Sequence, residues 1–202
     1  MKKLGDITIE EVEKLYSLIV DKVFPEINRE KLCGIEITEF EEIWPARFRE
    51  KNGKYIVQIN RPILAKTDKY YIILLIMHEL SHILVGLTPK SNEKLSEFLT
   101  IMIDEGVAEL VTLAKIPRVL EILDEDEKLE FIKTVIAEFD IHNPAYFVID
   151  HENIGGILEN YGLKTKLDPT TMEIIKRSPI ATIALLYYQI HKYGDRPARE
   201  FL

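Results

Sequence analysis

Two imidazoles four residues apart flank a carboxylate in the segment His78-Glu79-Leu80-Ser81-His82. On an α-helix, residues four apart lie one above the other, so both rings can reach a single ion. Imidazole nitrogen is a common zinc donor, and His78 and His82 are the first two expected metal ligands. Glu79 lies one step round the same helix. It can act on a water at the metal without ligating the ion, which makes it the expected general base. A duller explanation is a pair of core histidines bonded to neighbouring carbonyls. The context argues otherwise, because the motif ends the apolar run from Tyr70 to Met77. Polar groups in such a helix cost stability unless each finds a partner. One zinc ion with its water would satisfy all three.

A catalytic zinc usually takes three protein ligands and leaves a fourth position for water. The motif class that continues with a third histidine needs glycine at position 85 and histidine at position 88, where Val85 and Thr88 stand. Gly86 reads instead as a left-handed stop to the helix. Downstream, Asp104-Glu105-Gly106-Val107-Ala108-Glu109 falls in a second apolar helical segment, which starts near Ser91 and Asn92 and ends before Pro117. Residues 83–104 suffice to finish one helix, turn, and run back beside it. Glu105 would then face the two histidines as third ligand. Its competitor Asp104 points about 100° away round the helix, and Glu109, His142 and His151 are further alternatives. Glu105 and Glu109 share a narrow polar stripe, where stacked carboxylates repel unless a cation lies beside them. Glu109 could also accept the free N–H of a ligating imidazole.

The two segments together resemble the gluzincin metallopeptidases, over residues 67–114. In many of these the third ligand is the glutamate of an Asn/Asp-Glu-Gly-x-Ala segment on the next core helix. The resemblance implies one Zn2+ per chain held by His78, His82 and Glu105, with Glu79 as general base. It places Glu109 where several of these enzymes keep an acidic residue behind the ligands. The implied reaction is hydrolysis of an amide bond in a peptide or protein substrate. It further implies a small sheet above the zinc helix, with an edge strand that pairs with extended peptide. A Tyr or His would stabilise the oxyanion, and His142, Tyr146, His151 and Tyr161 are available, Tyr161 and His151 foremost. A deformylase would need a cysteine ligand in a Glu-Gly-Cys context, whereas Cys33 sits in Lys31-Leu32-Cys33-Gly34. The remaining alternative is a silent or latent zinc protein that uses its cleft to bind a partner. Cys33 could cap the zinc in such a form, although an ordinary buried thiol is the simpler expectation.

These residues need a scaffold, and the rest of the chain predicts an α+β fold. Thr8-Ile9-Glu10-Glu11 has capping-box spacing before a helical stripe through Val12, Leu15, Tyr16, Ile19, Val20 and Val23, up to Pro25. Residues 34–40 alternate like a strand. A hairpin follows, from Ile43 to Arg49 and Tyr55 to Asn60, turning at Asn52-Gly53. Pro45 pushes its first strand toward a sheet edge. The expected sheet is small, antiparallel or mixed, and packed on the zinc helix. Past Pro117, residues 118–140 read as one or two amphipathic helices, with Asp124-Glu125-Asp126-Glu127 a turn or a helix start. Further helices are expected over residues 154–160 and 179–191. The expectation is a single catalytic domain over residues 1–202, with an α+β lobe (1–90), a helical lobe (91–202) and the zinc cleft between them.

The composition suits a globular enzyme: of 202 residues, 47% are hydrophobic and 30% charged. A net charge of −8 argues against nucleic acid or an anionic membrane as partner. Cys33 is the one cysteine, so no internal disulfide can form. The amino terminus lacks the apolar core of a signal peptide, and no apolar run reaches the length of a membrane span. A cytoplasmic location is therefore expected. The oligomeric state is left open.

Overall fold

The computed structural model describes residues 7–41, 44–64, 67–86 and 97–139, together with Pro169. Helix α1 spans Ile9–Lys22 and starts at the expected capping box. The Glu11 backbone N–H donates to Thr8 Oγ1 at 3.2 Å, and the Thr8 N–H donates to the Glu11 carboxylate at 2.8 Å. Its apolar stripe, Val12, Tyr16, Ile19 and Val20, is buried, and the helix packs on the strand Leu32–Thr38 and the helix Ile116–Ile122.

Strands β1 (Leu32–Thr38), β2 (Ala46–Lys51) and β3 (Lys54–Asn60) form a mixed sheet in the order β1-β3-β2. The β2–β3 hairpin turns at Asn52 and Gly53, with φ of 56° and 74°. Two positive φ values in a two-residue turn match the twist of the flanking strands. Pro45 leads into β2, which lies at an edge as expected; the Pro45 carbonyl accepts from the Asn60 N–H at 2.9 Å. Strand β3, by contrast, is central, parallel to β1 and antiparallel to β2. Its backbone is already paired on both sides, so it cannot be the strand that takes up an extended peptide.

Cys33 is exposed rather than buried. Along the β1–β3 pairing, Leu32 faces Tyr55 while Gly34 faces Ile56, so Cys33 is an extra residue at a register shift. Gly34 adopts φ of 116° there, a conformation that L side chains rarely take. The bulge turns the thiol out of the ladder. Burial, with the Cys33 charge adding, pushes the Tyr16 phenol up to about 12. Among the described residues the Tyr16 hydroxyl has no hydrogen-bond partner, and an unpaired buried hydroxyl carries a desolvation cost. Tyr16→Phe is therefore expected to raise stability by up to ~1 kcal/mol, read as a higher urea midpoint at unchanged slope.

After a short helix α2 (Arg61–Leu64), α3 spans Lys69–Val85. Asp68 caps it, accepting from the Tyr70 and Tyr71 N–H groups at 2.9 Å each. Residues 72–77 are buried throughout, and Gly86 ends the helix at φ 71°. Helix α4 spans Glu97–Ala114. Residues 118–140 hold the end of α5 (Ile116–Ile122) and α6 (Glu125–Phe139). Asp124 starts α6, since its carboxylate accepts from the Glu127 N–H at 2.8 Å while its own N–H donates to Glu127 at 3.2 Å. The fold is α+β, and among the described residues no helix is long and apolar enough to cross a membrane.

Two compact units divide the chain: residues 1–84 with 115–137, and residues 85–114 with 138–202. In the first, Lys115 is 1% exposed and its ammonium donates to both oxygens of Glu26, at 2.8 and 2.9 Å. Arg118 reaches the same carboxylate at 3.0 Å. This cluster ties the turn after α1 to the start of α5. Lys69 pairs with Glu127, joining the first turns of α3 and α6. In the second unit, the described residues are 85–86, 97–114, 138–139 and Pro169, of which α4 forms the main part; the helices expected over residues 154–160 and 179–191 lie outside the described residues.

Candidate metal centre

Helix α3 carries three of the expected site residues on its second half. Glu79 (6% exposed) and His82 (7%) are buried while His78 is half-buried. The four-residue spacing brings the rings together at right angles, with centroids 4.7 Å apart. Their Nε2 atoms lie 3.1 Å from one another. Two nitrogens bound to one zinc at about 2.0–2.1 Å, in a tetrahedral arrangement, would be separated by about 3.3 Å. The pair is thus already set near the separation one ion requires.

The sheet backs this arrangement. Phe48 of β2 lies against the His82 ring, with centroids 5.6 Å apart and planes at 31°. Ser81, wholly buried, turns its hydroxyl back to the Met77 carbonyl at 2.8 Å, so it satisfies itself along the helix.

Asp104, Glu105 and Glu109 follow one another on α4, the first two half-buried and Glu109 9% exposed. Of the apolar residues beside them on α4, Val107, Ala108, Leu110 and Val111 are buried. Among the described residues, one group has the donors for a metal ion. His78, His82 and Glu105 each offer one ligand atom, and these lie within 4.8 Å of one another. Asp104 and Glu109 are not in that group. Two imidazoles and a carboxylate are a donor set suited to zinc, so the residues present fit the expected ion. His142, Tyr146, His151 and Tyr161, the expected oxyanion donors, lie outside the described residues.

Sequence reasoning overlooked Phe48. Its signal was faint: an apolar residue between Arg47 and Arg49 in a predicted strand, whose inward side is fixed only by the hairpin register. The chain matches no protein-family model, no curated protein and no solved structure.

Proposed function

We propose that this protein is a zinc-dependent hydrolase that cleaves peptide bonds, with His78, His82 and Glu105 as zinc ligands and Glu79 as general base. The observation that carries this reading is the grouping of two imidazoles and a carboxylate within 4.8 Å, with the buried Glu79 carboxylate beside His78 in the chain. A purely structural zinc site has no use for an acid in that position. The likeness to gluzincins noted from the sequence points the same way.

His78, His82 and Glu105 would hold the zinc, which would supply a water ionising near neutral pH and a charge to polarise the carbonyl under attack. Glu79 takes the proton from the attacking water and returns it to the leaving amine. His78 and His82 hold their nitrogens at the spacing the ion needs. Glu109, one turn beyond Glu105, keeps a ligating imidazole in one orientation. The substrate is a peptide or protein. A chain whose one cysteine leaves no internal disulfide suits a cytoplasmic site of action.

The test is the metal content of the purified protein beside Glu105→Ala. About one zinc per chain is expected in the wild type, and a small fraction of that in the variant. A folded wild type that takes up no zinc after resupply would end the metalloenzyme reading. Zinc retained without Glu105 would keep the metal and move the third ligand to Asp104, Glu109, His142 or His151.

A further inference from the structure

The imidazole of His82 is bounded on two sides. His78 stands across it at 87°, and Phe48 lies along it at 31° with centroids 5.6 Å apart. Phe48 is itself held, since Tyr55 on the neighbouring strand meets its ring edge-on, with centroids 5.9 Å apart and planes at 68°. The chain of rings Tyr55–Phe48–His82 therefore runs from the sheet to the helix. Phe48 is half-buried on an edge strand, outside the set of fully buried side chains that fill the core. A ligating ring has one productive orientation about its Cβ–Cγ bond, and rotation from it aims the nitrogen lone pair away from the ion. Such rings are usually fixed by a partner behind them.

We propose that Phe48 is a positioning residue of the metal centre: its ring fixes the plane of His82 so that Nε2 is presented to the ion before the ion arrives. The proposal rests on the reading of His78, His82 and Glu105 as zinc ligands. It goes beyond that reading by giving the sheet a part in metal affinity.

The test compares wild type, Phe48→Ala, Phe48→Leu and Phe48→Tyr. Zinc affinity is measured by competition with a chromophoric chelator, and the visible bands of the cobalt-substituted proteins report ligand geometry. Phe48→Ala is expected to bind zinc more weakly, by up to the roughly 10-fold lower end of the range found when a hydrogen-bonded partner of a ligating histidine is lost. Its cobalt bands are expected to shift. Phe48→Tyr keeps the ring and should match the wild type in both. Denaturant unfolding of the metal-free proteins is measured alongside. A residue that merely packs would lower that stability and leave the affinity and cobalt bands of the folded protein unchanged, which would overturn the proposal. Should Phe48→Ala fail to fold, Phe48→Leu keeps apolar volume without a ring; weakened binding supports the proposal, and wild-type affinity overturns it. A wild type that binds neither zinc nor cobalt would defeat the metal-site reading, and Phe48 with it. A metal-loaded wild type with an unaffected Phe48→Ala removes Phe48 alone.

Discussion

Glu79→Gln is expected to keep its zinc and lose about 10²–10⁴-fold in turnover, the range that removal of a general base produces. Glutamine has nearly the same shape, so the buried position, 6% exposed, is refilled without a cavity. It also lacks the lone-pair basicity to accept a proton at neutral pH. Because Glu79 is proposed to act on water and not on the ion, metal content should match the wild type. Substrate binding should change little, placing the loss in kcat. A peptide library cleaved by the wild type supplies the substrate for the comparison. Equal turnover in the variant would refute the general-base assignment, and loss of zinc would mean that Glu79 supports the ligands instead.

Removing Glu26 should destabilise the first unit strongly, through the loss of an ion pair and not of core packing. Lys115 is 1% exposed, and Glu26→Ala strands its ammonium in a place water does not reach. Breaking a buried pair from one side costs about 3–5 kcal/mol, and the lower figure is expected because Glu26 is partly hydrated. Adding Lys115→Met should recover most of the loss, since a well-packed apolar pair often replaces a buried ion pair at no cost. Denaturant unfolding of the wild type and the two variants reads this directly; a loss under ~1 kcal/mol in Glu26→Ala would mean that Lys115 finds other partners. There is a pH signature too. Burial pushes the Glu26 carboxyl up, but its hydrogen bonds and the charges of Lys115 and Arg118 outweigh that and hold it below the usual 4.5. A carboxyl depressed in the folded state stabilises fully above its unfolded value and loses that contribution as pH falls through the folded one. Wild type should therefore lose stability below about pH 4.5, a dependence that Glu26→Gln should blunt.

What could be read in the sequence was what lies within one turn of the chain. The Thr8–Glu11 box, the Asn52-Gly53 hairpin, the stop at Gly86 and the helix start at Asp124 are all contacts between residues at most four apart. The fold class and the His78–His82 face follow from the same short-range periodicity. Long-range partner choice leaves no such mark. That β1 pairs with β3 and not with β2 depends on which side the returning hairpin docks, and this is why Tyr55 to Asn60 became the central strand. Cys33 was misjudged because a bulge inserts a residue without altering the apolar pattern. Lys115 gives no local hint that Glu26, distant in the chain, will neutralise it.

The tight turn at Asn52 and Gly53 has a bearing on the proposed metal centre that its distance along the chain conceals. Strand side chains alternate between faces, so the turn's length decides which of Arg47, Phe48 and Arg49 looks toward α3. One residue more in that turn would slide β2 by a single step against β3. An arginine would then take the place of Phe48, and a fixed positive charge would stand beside an imidazole proposed to hold a cation. The hairpin thus works as a gauge block: its two-residue length sets an aromatic ring, and not a guanidinium, against His82.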